Sequence, residues 1–192
     1  MQRRSFLSCL LVGGTTICLP SVVNARDWLL PQPFVPPPPA HTEYHTHWTI
    51  EIAITRDGAK VHVYRDGEPF VGYSALAPRV SSVRNGLMVG RVWEVEMPPS
   101  WAPTPNMLAK DPTRRAYAPG EPGNPMGQVA KLMIAGFGYQ RVHGYSNPRT
   151  GNTAGCVALD DNYLRDLVKR MGGARQFRDE LRRSGTVIFY VP

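Results

Sequence analysis

Trp48-Thr49-Ile50-Glu51-Ile52-Ala53-Ile54-Thr55, then Asp57-Gly58, then Lys60-Val61-His62-Val63-Tyr64-Arg65, then Asp66-Gly67: this run decides the fold. Apolar and polar residues alternate in both long segments, the period of a strand with one buried face. An Asp-Gly pair between such runs is a strong hairpin signal, because both residues tolerate the positive φ of a tight turn. A third strand is expected over 70–76 and a fourth over 87–96, the latter carrying Trp93 and Val95. Further along, 129–137 and Arg141-Val142-His143 read as strands, and the apolar run 186–191 as a buried closing strand. Asp160-Asp161 suits the cap of a helix over 162–171, since aspartates accept the first free amides. Leu164, Leu167, Val168 and Met171 fall on one face of it. Gly172-Gly173 stops that helix, and a second short one covers 174–183. The expectation is a mostly-β domain, a small sandwich or open barrel with one or two short helices near the C-terminus.

Two proline-rich stretches interrupt this pattern. The first, with Pro36-Pro37-Pro38-Pro39 at its centre, occupies 26–46 and reads as an extended, solvated linker that leads into the first strand. His41, His45 and His47 follow closely, but no cysteine or paired carboxylate stands at ligand spacing, so no metal is expected. The second stretch, 97–127, holds Pro98-Pro99 and the run Pro119-Gly120-Glu121-Pro122-Gly123-Asn124-Pro125. An irregular stretch of that length inside a compact domain reads as a functional loop or lid.

The N-terminus reads as an export signal over residues 1–25. Arg3-Arg4 is followed by an uncharged stretch, broken by Gly13-Gly14, that ends in Val23-Asn24-Ala25, where small residues suit a signal peptidase. Arg3-Arg4-Ser5-Phe6-Leu7 is similar to a twin-arginine signal, so the expected location is the periplasm. The stretch falls short of the ~20 apolar residues a spanning helix needs. Its removal takes two arginines and no acid, lowering the net charge from +7 to +5. Mild basicity suits a polyanionic or carboxylate-rich partner such as cell-wall polymer. The arginines scatter and no nucleic-acid motif occurs, so nucleic acid is not an expected partner. The remaining chain, 47–192, suits one domain, and a monomer is expected.

Removing the signal also takes Cys9 and Cys18 and leaves Cys156 as the single thiol. A lone cysteine in an exported protein is either an inert core residue or a reactive group. It follows Thr153-Ala154-Gly155 and stands thirteen residues after His143-Gly144. A thiol beside a turn glycine with a histidine shortly upstream is what nucleophilic acyl chemistry requires: the thiolate attacks and the imidazole handles the proton.

Three segments carry a resemblance: 119–127 (Pro-Gly-Glu-Pro-Gly-Asn-Pro-Met-Gly), His143-Gly144-Tyr145-Ser146-Asn147-Pro148, and Gly155-Cys156-Val157-Ala158-Leu159. In their order and spacing, residues 47–192 resemble the catalytic domain of the L,D-transpeptidases, the YkuD-type family. The family signature runs from a His-Gly on one strand to a Ser-His-Gly-Cys-x-Arg element that opens a helix. Resemblance implies that Cys156 attacks a peptidoglycan stem peptide at its third residue, a diamino acid, and expels the terminal D-residue. It implies His143 as the base, oriented by the Gly144 carbonyl. The amides of Gly155 and Cys156 are candidates for the oxyanion hole. Tyr117 and Tyr139 are candidate pocket walls, with packing as the other reading. Thr153 stands where the family has serine, as a hydrogen-bond donor or a turn former. No cofactor is implied.

The departures sit beside the thiol. Thr153-Ala154 replaces the family's Ser-His, and Ala158 stands where it has arginine. The nearest cations in sequence are Lys131, Arg141 and Arg149, and Arg149 is the candidate to replace the missing charge in binding a stem carboxylate. The leading function is a peptidoglycan L,D-transpeptidase that transfers the acyl group to an amine on a second stem or a wall-attached protein. Two alternatives remain open: an L,D-carboxypeptidase or hydrolase of wall–protein links using the same cysteine, and a non-catalytic peptidoglycan-binding module.

Overall fold

The structure, a computed structural model, describes residues 6–12, 15–21, 33–146 and 153–192. The chain divides into two units, Met1–Gln32 and Pro33–Pro192. In the first, β1 (Phe6–Val12) and β2 (Thr15–Ser21) pair antiparallel. Among the described residues no helix is long and apolar enough to cross a membrane. Arg149 and the rest of 147–152 lie outside the described residues.

The second unit is built on β3 (Trp48–Thr55), β4 (Gly58–Arg65), β5 (Glu68–Leu76), β6 (Leu87–Glu96), β7 (Lys131–Ile134), β8 (Arg141–Tyr145), β9 (Val157–Asp160) and β10 (Gly185–Tyr190). They close into a barrel in the order β10-β3-β4-β5-β9-β8-β7-β6. The mostly-β expectation holds, and the sheet is closed rather than open, although β5 meets β9 only through Ala75 and Leu76. Both hairpins form where the alternation puts them: Asp66 (φ 53°) and Gly67 (φ 81°) make the second turn as expected, whereas the first turns through Arg56-Asp57, and Gly58 already opens β4 opposite Thr55. Ile50 pairs with Val63 and Val187, Ile52 with Val61 and Phe189, and Val142 with Leu132 and Val157. These buried apolar residues share the face that fills the barrel.

Helix α1 (Pro105–Lys110) lies in the second proline-rich stretch; α2 (Asp161–Arg170) and α3 (Ala174–Ser184) sit between β9 and β10. Asp160 caps α2 by accepting the Asn162 N–H at 2.8 Å, as its sequence suggests. Leu164, Leu167 and Met171 are buried as expected, joined by Tyr163, whose ring tilts against Tyr73 at 5.2 Å. Surrounding prolines mask helix α1 in the sequence, yet Thr104 before Pro105 is a cap followed by a first-turn proline.

The first proline-rich stretch is a docked strap rather than a solvated linker over its described part, 33–46. Phe34 exchanges backbone hydrogen bonds with Gly72 of β5 at 3.0 and 2.6 Å, and Tyr64 Oη donates to the Pro37 carbonyl at 3.0 Å. A side chain at position 72 would overlap the Phe34 ring, which also packs edge-on against His62. Beneath the strap lies Glu51, fully buried on the outer face of β3. Its carboxylate accepts the Ala40 and His41 N–H groups at 3.0 and 2.9 Å and meets His45 Nε2 at 2.8 Å. An alternating strand predicts Glu51 in water; the strap converts it to a buried anchor by supplying the donors a buried carboxylate requires.

Candidate active site

The site forms where β8 and β9 run side by side in parallel. Val142 pairs with Val157 and His143 with Ala158. With Val142 and Val157 turned into the barrel, alternation turns Arg141, His143, Ala158 and the residue before β9, Cys156, to the outer face. His143 and Cys156 are thus diagonal neighbours on one surface. This also corrects the expectation that Cys156 opens a helix. It stands immediately before β9, and the helix begins only at Asp161. Four residues between a turn and a helix carry too little alternation to be read, and β9 is held by its parallel partner rather than by its own pattern.

His143 is buried, and its Nδ1 lies 2.6 Å from the Gly144 carbonyl. A carbonyl only accepts, so Nδ1 carries the hydrogen and Nε2 is the basic nitrogen of the neutral ring. Gly144 is held in place from behind. The Asp161 carboxylate packs on it so closely that a Cβ on Gly144 or on Gly127 would overlap Asp161 Oδ1. Asp161 Oδ2 accepts the Gln128 N–H at 3.0 Å and the Ser146 hydroxyl. The second aspartate of Asp160-Asp161 therefore ties the end of the lid to the histidine strand, a role separate from helix capping.

Cys156 is a half-buried free thiol, and its Sγ contacts the Tyr139 carbonyl at 3.8 Å. Burial pushes its pKa up; the Arg141 backbone N–H and the charges of Arg141 and then Lys131 act in the opposite direction without cancelling it. The Arg141 guanidinium is fixed by the Gly138 and Gln140 carbonyls, the latter at 2.7 Å. Tyr139 meets the thiol through its carbonyl, while its ring is 78% exposed. Tyr117 is pinned within the lid, pairing with Trp101 through backbone bonds and stacking under Arg115 at 4.1 Å.

Thr153 is a turn former. Its N–H donates to the Ala77 carbonyl at 2.9 Å, its hydroxyl donates to the Cys156 carbonyl, and its Oγ1 accepts the Gly155 N–H at 3.3 Å. The Gly155 amide is accordingly already engaged, by a long bond.

One cross-strand row was invisible in the sequence. Glu96, Lys131, His143 and Ala158 stand opposite one another across β6, β7, β8 and β9. Lys131 Nζ meets Glu96 Oε2 at 2.5 Å and donates to the Ser100 carbonyl at 2.8 Å. Burial alone pushes the Glu96 carboxyl up, but the hydrogen bonds from Lys131 and Ser100 together hold it below the usual range. This row anchors the start of the lid beside the histidine.

Beside the cysteine turn a cleft of about 630 Å³ opens, lined by Arg79, Ser82, Lys110, Thr153 and Ala154. Its walls come from the β5–β6 connection, the end of α1 and the residues just before Cys156. A smaller cleft of about 150 Å³ between β3 and the helices, lined by His47, Trp48, Arg170 and Glu180 among others, holds no nucleophile.

No curated protein matches the chain. The family model for the L,D-transpeptidase catalytic domain, YkuD, matches residues 49–187, which span β3 to β10 and include both Cys156 and His143. The chain therefore belongs to the L,D-transpeptidase catalytic domain family, cysteine-dependent transpeptidases that act on peptidoglycan stem peptides.

Proposed function

We propose that this protein is a peptidoglycan L,D-transpeptidase with Cys156 as nucleophile and His143 as proton carrier. The observation that carries the reading is the β8–β9 register, which turns a thiol and an imidazole onto one face while the Gly144 carbonyl commits His143 Nδ1. In the acylation step His143 Nε2 takes the thiol proton and Sγ bonds to the carbonyl carbon of the stem's diamino acid. The C–N bond to the terminal D-residue breaks, and Nε2 returns the proton to the leaving amine. In the second step an acceptor amine attacks the thioester, loses a proton to Nε2 and displaces the thiolate, which is reprotonated. The acceptor is an amine of a second stem or of a wall-attached protein. The 3.3 Å bond from Gly155 N–H to Thr153 Oγ1 is weak enough to be exchanged for the developing oxyanion, with the Cys156 amide as its neighbour.

The setting belongs to the same proposal. Arg3-Arg4 and the uncharged stretch after it direct export to the periplasm by the twin-arginine route, where 1–25 is removed and the protein works as a monomer.

The test incubates the protein with a synthetic stem tetrapeptide, with and without an acceptor amine, and follows it by intact-mass and product mass spectrometry. A thioester adduct on Cys156 and an acceptor-linked product are expected. Cys156→Ala should lower turnover by at least about 1,000-fold while leaving the fold intact. Release of the D-residue with water as the only acceptor would make the protein a carboxypeptidase. A thiol that alkylates normally yet never acylates would make it a non-catalytic binding module.

A further inference from the structure

The cleft beside Cys156 carries two cations that the transfer chemistry does not use. Arg79 sits on the β5–β6 connection and Lys110 ends α1 of the lid; both side chains are exposed, and no carboxylate is among the residues lining the cleft. Among the described residues neither forms an ion pair, although arginines and glutamates pair elsewhere on the same lid, as Arg115 does with Glu121 at 2.6 Å. The sequence of 147–152 contains no acid either.

The cleft is also built onto the cysteine rather than merely near it. Thr153, one of its walls, is tied to Ala77 through its N–H and to the Cys156 carbonyl through its hydroxyl. Ser82, another wall, accepts Gln140 Nε2 at 3.3 Å, and Gln140 follows the Tyr139 carbonyl that contacts Sγ. A ligand in the cleft therefore lies against the turn that presents the thiol. Meanwhile position 158, facing His143 across the strands, is a buried alanine that offers no charge.

We propose that Arg79 and Lys110 form the carboxylate-recognition site of this protein, holding the acidic groups of a peptide whose reacting carbonyl reaches Cys156. The inference rests on the transpeptidase reading for its substrate class, and it names which residues select that substrate. An arginine can present two parallel N–H groups to one carboxylate, and a lysine lining the same cleft adds a point charge on a flexible stem.

The experiment measures binding separately from chemistry. Cys156→Ala protein is titrated calorimetrically with a synthetic stem tetrapeptide bearing free carboxylates, and with the same peptide carboxamidated. The same titrations are run in a background that adds Arg79→Gln and Lys110→Gln, and KM for release of the terminal D-residue is compared with Cys156 intact. The double variant should bind the acidic peptide about 10-fold more weakly and each single about 3-fold, since exposed charges are partly screened. KM should rise in step. The carboxamidated peptide should bind both proteins equally, and added salt should weaken acidic-peptide binding only where the cations remain. Iodoacetamide alkylation of Cys156 and the melting temperature should not move. Unchanged affinity in the double variant, equal losses for both peptides, or no binding of the acidic peptide at all overturns the proposal. Cation-dependent binding without turnover would leave the site standing and sink the transpeptidase reading; turnover with unaltered KM in the double variant would do the reverse.

Discussion

The strap over β3–β5 and the lid around β7–β9 are both proline-rich, both irregular, and both lie on the outer wall of one barrel. They end in opposite electrostatic states. Under the strap, every oxygen of buried Glu51 is met by a donor from Ala40, His41 or His45, and aromatic rings close the surface around it. Under and beside the lid, Glu96 and Lys131 pair with each other as an anchor, while Arg79, Lys110 and the thiol of Cys156 are left with capacity to spare. One proline-rich segment completes the barrel and the other frames an opening in it. Composition does not separate the two. What separates them is whether the segment supplies partners to the polar groups beneath it.

If the strap is a structural seal, Glu51→Ala should be among the most damaging substitutions outside the core. It deprives two backbone N–H groups and one imidazole of their acceptor, and the expected loss is about 2–4 kcal/mol of stability. Thermal melting measures this, and the alkylation rate of Cys156 in the still-folded variant should be unaffected. A melting temperature equal to that of the parent would mean that the strap is the loose linker its composition suggests, and the contrast would disappear.

On the lid side the effects should fall on reactivity instead. Burial raises the Cys156 thiol above its ordinary value of 9.0, so the rate of alkylation by iodoacetamide should still be climbing at pH 9. Arg141→Gln removes a charge that favours the thiolate. The midpoint should move further into alkali, with a several-fold slower reaction near pH 8 and little change in melting temperature. A plateau reached below pH 8 would show instead that the resting thiol is already ionised beside the imidazole.

The smallest effect concerns the lid anchor. The Glu96 carboxyl is held below its ordinary value by Lys131 and Ser100 against the opposing pull of burial. Its contribution is therefore fully present above about pH 4.5, the ordinary glutamate value, and is lost as pH falls through the lowered folded value. Glu96→Gln should abolish that part of the acid sensitivity, seen as faster amide exchange around Ser100 in the parent but not in the variant at low pH. Identical exchange in both proteins would remove Glu96 as the anchor at the start of the lid.

Much of this molecule is legible along the chain, and the limits follow from range. Strands β3, β4, β6 and β10 and both late helices announce themselves because alternation, Asp-Gly turns, caps and a helical apolar face act over a few residues. Strand β9 does not, because four residues next to a turn show no period. Helix α1 does not, because the prolines that frame it mask its cap. The His143–Cys156 pair is legible as a combination of residue types in a family-like order, and Thr153 as a turn former. Tyr117 and Tyr139 resist such reading, since an aromatic ring's direction is set by neighbours distant in sequence. The same holds for Asp161, which reads as a cap residue and instead packs on Gly144 and Gly127.

The amino-acid sequence by itself determined a β domain of this family with a cysteine, Cys156, in a glycine turn and a histidine upstream, because each of those facts is local or is a matter of residue type and order. Only the tertiary structure decided which polar groups are neighbours. Glu51 finds its donors on the strap, Glu96, Lys131 and His143 form one row, and Arg79 and Lys110 come to line one cleft beside the cysteine turn, each through the meeting of segments far apart in the chain. Burial and charge act through space, so the closing of the barrel, rather than any stretch of sequence, fixes which buried groups are satisfied and which cations remain open to a ligand.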